Sequence, residues 1–353
     1  MARRGPPAGS ACGEGEWIVL SREIVKRAIE FRSPPRLAFW QHEVAWAPDD
    51  VWDIWEMDRA QAGWFFDNAA PDDWQCRWVR TAQKNMGQVI GHPLADWSAL
   101  DHYRPPDPRD PFYFERIPPL LDEAGDRYVV VTCHFNLIER LHMLRGFAAV
   151  MEDFYLQPQR VHQVLEMILQ FKLAQLDELA RRFGPRVDGI FLTDDWGTQQ
   201  GIFVSPSVFD EFFADRYRAL FAAIHHHGWH VILHSCGRIN QLVPRLIQLG
   251  VDVLNMQQPQ AYGLEEFGRR FRGKVCFLTT VDIQATLPRG METEVRAEAS
   301  RLVRHWSTPQ GGLIVFNYGD PEALGVKPEM TRVMFDQFVK EMDYWQRAGA
   351  TAS

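Results

Sequence analysis

Trp229-His230-Val231-Ile232-Leu233-His234-Ser235-Cys236-Gly237 is the stretch from which the fold can be read. Its apolar centre is short and lies between Gly228 and Gly237, the pattern of a fully buried strand. Upstream, Ser205-Pro206 opens a helical segment with a capping residue and a proline in the first turn, and Gly228 ends it. Downstream, 238–249 reads as a second helix closed by Gly250. A buried strand set between two helices is the unit from which parallel sheets are built.

That unit recurs along the chain. Strand-like runs fall at 36–42, 128–134, 187–193, 230–234, 251–256, 274–279 and 313–317. Helical patterns separate them. Pro158–Phe183 carries Val161, Val164, Leu165, Ile168, Leu169, Leu173, Leu176 and Leu179 on one 3.6-residue stripe, and further helices fit Glu292–Trp306 and 328–344. No hairpin joins the strands and no GxGxxG follows any of them. A closed (β/α)8 TIM barrel is therefore favoured over an open dinucleotide-binding sheet. The eighth strand is not evident, so the barrel is expected to be distorted. Residues 43–112 break the rhythm, with a helix expected at 51–68 and a proline-rich stretch at 105–111. The expected organisation is an α/β chain with a disordered tail at 1–16, a barrel over 17–346 whose 43–112 segment is a cap or insertion, and a short tail at 347–353.

The bulk numbers agree with a single large core, since 353 residues are 46% hydrophobic. A net charge of −8 and a pI near 5.9 argue against nucleic acid as partner. The five cysteines are odd in number and scattered without a CxxC, which suits a reducing, cytoplasmic setting. No stretch reaches the roughly 20 apolar residues of a membrane span, and residues 1–15 lack a signal-peptide core. Thirteen tryptophans serve packing first, although aromatic walls also suit an organic ligand.

Chemistry in such a barrel sits at the C-terminal strand ends. Those ends carry Trp40 and His42; Cys133, His134 and Phe135, followed by Glu139; Thr193, Asp194, Asp195 and Trp196, with Gln199 beyond; His234 and Cys236; Asn255 and Gln257; Thr279 and Asp282; and Asn317, Tyr318 and Asp320. Imidazoles, thiols, carboxylates and amides at seven ends point to an enzyme. His234 and Cys236, two residues apart, leave their strand on one face, and both are good zinc ligands. The same pair also fits a hydrogen-bonded histidine beside an inert cysteine. Asp194-Asp195 could cap a helix or act directly, and His134 could line a pocket or fill the core. His225-His226-His227 suits the negative end of a helix and not a ligand set.

Several motifs together resemble the uroporphyrinogen decarboxylase superfamily. They are Asp188-Gly-Ile-Phe-Leu-Thr-Asp-Asp-Trp-Gly, His234-Ser-Cys-Gly, Gly250-Val-Asp-Val-Leu-Asn, Val281-Asp-Ile-Gln with Leu287-Pro288, Leu144-Arg-Gly-Phe, and Met86-Gly-Gln-Val with His92-Pro93-Leu94. The resemblance implies a distorted (β/α)8 barrel. Its decarboxylases clamp a tetrapyrrole with an N-terminal arginine pair, and the corresponding Phe39-Trp-Gln-His-Glu holds none. Its zinc methyltransferases, which act with corrinoid proteins and thiols, carry His-x-Cys-Gly on this strand. They take a further cysteine near the last strand, where this chain has Tyr318-Gly319-Asp320.

The resemblance thus implies zinc held by His234 and Cys236, with Asp320 or Asp194 as oxygen donor. The metal set expected is His234, Cys236 and Asp320. Catalytic candidates are Asp194, Asp195, His134 and Tyr318; substrate-binding candidates are Trp40, His42, Phe135, Glu139, Trp196, Gln199, Gln257, Asp282 and Asn317. The expected activity moves a methyl group between a small organic substrate and a corrinoid protein or thiol, with metal assistance and in a homodimer. A metal-free decarboxylase or lyase acting on a small aromatic or pyrrole-like acid, and a non-catalytic ligand-binding barrel, are the alternatives.

Overall fold

The computed structural model describes residues 19–42, 44–55, 57, 71–79 and 87–350. The tail expected at 1–16, Cys12, Glu43, Met86 and most of the 51–68 segment lie outside these residues. Eight parallel strands form one sheet: β1 (Ala38–Trp40), β2 (Val51–Ile54), β5 (Tyr128–Cys133), β6 (Gly189–Thr193), β7 (His230–His234), β8 (Val253–Met256), β9 (Cys276–Thr279) and β10 (Leu313–Phe316). Their hydrogen-bonded order is β1-β10-β9-β8-β7-β6-β5-β2, which brings β1 and β2 together as the two sides of a seam. An antiparallel pair, β3 (Arg77–Val79) and β4 (Gln88–Gly91), forms a second sheet within residues 43–112. The fold is a TIM-barrel-like α/β fold, nearly closed.

The seam accounts for the distortion. Between β1 and β2 the amide of Asp50 donates to the Phe39 carbonyl at 2.8 Å, and the Asp50 carboxylate accepts from the Phe39 amide at 3.0 Å. Arg36 grips both oxygens of the same carboxylate at 2.7 Å. One buried aspartate and one arginine thus do there what a ladder of backbone bonds does elsewhere.

All seven expected strands are present, and the eighth is β2. It lies where a helix was expected over 51–68. The reason is local: Val51 packs into the barrel interior, while the Asp53 carboxylate takes the ring of His42 at 2.6 Å. The helix expected between Ser205 and Gly228 is two helices, Pro206–Phe212 and Ala214–His226. The C-terminal helix stops at Lys340 and a further one, Tyr344–Ala350, follows, so residues 347–350 are helical and not a tail. Trp345 donating to Ser307 Oγ at 2.7 Å and Gln346 to the Pro34 carbonyl at 2.8 Å tie that last helix down.

The barrel interior is filled from below. The helix Ser21–Ile29 lies across the N-terminal ends of the strands and packs Ile24, Val25, Ala28 and Ile29 against Tyr128, Val253 and Cys276. Arg22 and Lys26 anchor it on the buried Asp188 at 2.7 and 2.9 Å. Gly189 is required in this floor, because a Cβ there would sit 2.6 Å from the Tyr128 hydroxyl. Higher up, Trp40 meets Phe191 and Phe316 edge-on at 5.5 and 5.6 Å. This aromatic layer is the platform beneath the strand ends. Among the described residues, no helix is long and apolar enough to cross a membrane.

Candidate metal centre

Period-two alternation brings the site together. On β7, His230, Ile232 and His234 face inward; on β6, Gly189, Phe191 and Thr193 do so. Continuing each strand by two residues delivers Cys236 and Asp195 to the same side. Asp195 Oδ1 accepts from the Cys236 amide at 2.7 Å and lies 3.5 Å from His234 Nε2, which is itself 3.3 Å from Cys236 Sγ. Among the described residues, these three form the one group of potential metal ligands whose donor atoms all lie within 4.8 Å of one another. A tetrahedral zinc with bonds of about 2.0–2.3 Å separates its ligands by roughly 3.3–3.8 Å. The nitrogen–sulfur and nitrogen–oxygen distances already have that spacing, so the residues present fit a zinc ion with one position left open.

Asp194 points the other way. Its carboxylate accepts from the amides of Leu137 (2.8 Å), Ile138 (3.2 Å) and Glu139 (2.8 Å), the first turn of helix Leu137–Arg145, and from the Tyr217 hydroxyl at 2.5 Å. Burial pushes it up to about 6 against these bonds. It caps a helix and is not among the donor atoms that converge with His234 and Cys236. Asp320 is corrected as well: it is exposed, and its Oδ1 takes the Ala323 amide at 3.1 Å in the turn that follows β10. The carboxylate that lies beside His234 and Cys236 is that of Asp195.

The remaining candidates divide by position. His134 is buried beside the platform, its ring 4.8 Å from Trp55 and 6.4 Å from Phe191, and Phe191 stacks 6.4 Å from His234. Trp40 belongs to the same layer. Tyr318 is half-buried, and its phenol is pushed up by burial and then by Cys236. Glu139 is buried, accepts from Thr193 Oγ1 at 2.8 Å, and is pushed well above the usual carboxylate range by burial and then Asp195. Gln257 donates to Asn255 Oδ1 at 2.8 Å, and buried Asn317 bonds through its amide to the Trp40 carbonyl.

Five further substrate-binding candidates, Trp196, Phe135, Asp282, Gln199 and His42, make contacts of other kinds. Trp196 is fully buried behind the barrel, bonded to Tyr217 at 2.9 Å and packed on Phe209 and Phe213. Phe135, at φ +53°, turns its ring toward Trp78 and Arg140. Asp282 is consumed by the amides of Gln260, Gln284 and Ala285, and Gln199 is exposed on its loop. His42 sits at the rim, where Asp49 and then Asp53 raise its pKa to about 10. The sequence reading gave no role to Tyr217, Asn255 or Phe191. Counting back by two from Asp195 would have found Phe191; nothing local marks Tyr217, which sits in an apolar helix stripe.

Comparison with known proteins comes to the same architecture. A search of curated proteins found no match at a significant level. Among solved structures, a methyltransferase from Methanosarcina mazei superposes with a TM-score of 0.64 at 13% identity, covering 91% of this chain and 98% of that one. A D-psicose 3-epimerase aligns at a TM-score of 0.38 and 11% identity over 63% of this chain and 81% of its own. The family model described as "Uroporphyrinogen decarboxylase (URO-D)" matches residues 79–341, well over half of the sequence, and the chain belongs to that family of enzymes.

Proposed function

We propose that this member of the family is a metal-assisted methyltransferase that moves a methyl group onto or from a small thiol. The observation that carries the reading is the convergence of His234, Cys236 and Asp195 above an aromatic platform. Zinc, when bound, supplies Lewis acidity that keeps a substrate thiol as its thiolate near neutral pH. The chain's own residues do the rest. A neutral imidazole with one thiolate and one carboxylate balances a divalent charge, so the site stays neutral overall. Burial and then Asp195 push the pKa of Glu139 up, which disfavours a further negative charge beside Asp195. Trp40, Phe191 and Phe316 present an apolar surface that excludes water and accommodates a methyl group.

The methyl donor we propose is a corrinoid carried by a partner protein or a small methylated compound, and the active species a homodimer. The fold shared with the M. mazei methyltransferase and the His-x-Cys-Gly motif support this. The stretch Phe39–Gln41, which puts Trp40 in the barrel layer and supplies no arginine, speaks against a tetrapyrrole carboxylate clamp. The test is zinc content together with methyl transfer from methylcobalamin to small thiols. About one zinc per chain is expected, lost in Cys236→Ala and Asp195→Ala along with transfer. A folded protein that takes up no zinc, or variants that transfer at the normal rate, would overturn the reading.

A further inference from the structure

We infer that Asn255 is a positioning residue that forces the neutral ring of His234 to carry its proton on Nδ1, leaving the Nε2 lone pair aimed at Cys236 and Asp195. The inference rests on the metal reading above for its purpose but not for its geometry. His234 and Asn255 are register partners on adjacent strands, both on the inward face. His234 Nδ1 lies 2.7 Å from Asn255 Oδ1.

The orientation of that amide is settled by its other end. Asn255 Nδ2 donates to the Leu278 carbonyl at 3.0 Å, and a carbonyl can only accept. The atom facing His234 is therefore the oxygen. Gln257 Nε2 donates to the same oxygen at 2.8 Å, so its second lone pair is taken too. An amide oxygen has no proton to give, and Nδ1 must be the donor. The neutral tautomer that remains has its lone pair on Nε2, the atom 3.3 Å from Cys236 Sγ and 3.5 Å from Asp195 Oδ1.

Asn255 is fully buried, and a leucine of similar size in its place offers Nδ1 no acceptor. The choice of an amide has a second consequence. A carboxylate in its place would also accept from Nδ1, but it would add a third negative charge near Cys236 and Asp195 and face the Leu278 carbonyl without a proton. The amide orients the imidazole and leaves the charge balance of the donor set untouched. Partners of this kind behind a ligating histidine are generally worth 10–100-fold in metal affinity.

The experiment has two arms on the full-length chain. In the first, chelator-treated protein labelled with 15N-histidine is studied by NMR at pH 8, with the His234 signals assigned through His234→Gln. The Nδ1–H tautomer is expected; an Nε2–H tautomer would overturn the inference. In the second, zinc affinity of Asn255→Leu is measured by competition with a chromophoric chelator. A 10–100-fold loss with a mixed tautomer is expected in a variant whose circular dichroism is native. Zinc binding as tight as in the unmodified chain would overturn it. Should Asn255→Leu fail to fold, Gln257→Leu, which removes one donor to the same oxygen, is expected to give a smaller loss, and the NMR arm stands regardless. A chain that binds no zinc but holds the Nδ1–H tautomer would defeat the proposed function and leave this assignment standing.

Discussion

Gly237 and Gly197 meet backbone to backbone: a Cβ on Gly237, whose φ is +84°, would stand 2.2 Å from the Gly197 carbonyl group. The crossing joins the loop that follows β6 to the loop that follows β7. Arg238 donating to the Thr198 carbonyl at 2.7 Å continues it. Asp195 and Cys236 lie just before the two glycines, so their 2.7 Å contact is set by this crossing. Gly237→Ala is expected to lower the melting temperature by several degrees, from backbone strain of about 1–2 kcal/mol plus the clash. Zinc content should fall with it. Calorimetry and metal analysis check both; an unchanged melting temperature would show that the loops separate at no cost.

The seam offers a second prediction. Asp50 is buried, bonded twice by Arg36 and once by the Phe39 amide, so its removal leaves the Phe39 amide without a partner and the guanidinium with the Leu37 carbonyl alone. Asp50→Ala is expected to destabilise the chain by about 3–5 kcal/mol in urea unfolding. Arg36→Met leaves the buried Asp50 carboxylate with the Phe39 amide as its side-chain partner and should cost at least as much.

His42 makes stability pH-dependent. Its ring bonds to Asp49 and Asp53 and titrates near 10 in the folded chain, against an ordinary value of 6.5. A raised histidine stabilises fully below 6.5, and the contribution fades as pH climbs toward 10. Because the side chain is 40% exposed, screening reduces it to about 1 kcal/mol. His42→Gln should therefore be less stable than the parent at pH 6 and indistinguishable from it near pH 10, as read by denaturant midpoints.

Glu139 has the opposite carboxylate logic to a salt-bridged acid. Burial and then Asp195 push its pKa well above the ordinary 4.5 that it has in the unfolded chain. The folded state thus loses ground as pH rises above 4.5. Glu139→Gln keeps an acceptor for Thr193 and removes the titration. The variant is expected to equal the parent at pH 4 and to exceed it in thermal stability at pH 8. Parallel curves for the two proteins would contradict a raised pKa at Glu139.

Seven strands were legible because each is a continuous apolar run, the mark of a strand buried on both faces. β2 was not, since Val51, Ile54 and Trp55 recur at helical spacing and the inward Asp53 interrupts the run. Its polarity makes sense only once His42 is beside it. His234 and Cys236 were legible from spacing alone. Asp194 and Asp195 are indistinguishable as letters; which one caps a helix depends on where Leu137–Arg145 starts in space. Trp196 followed Asp195 in sequence and was read as part of the pocket, but the chain has left the barrel by that residue. Asn255 was visible as an amide at a strand end, and its role required the neighbouring strand's register.

The helix Ser21–Ile29 gives the barrel a blind end. With Tyr128, Val253 and Cys276 packed beneath it, the described residues fill that side with apolar side chains. Whatever reaches His234 must arrive and depart through the same doorway, so two reactants cannot come from opposite directions. They must either share the opening or take turns, which makes the sequence of arrival and departure a property of the architecture.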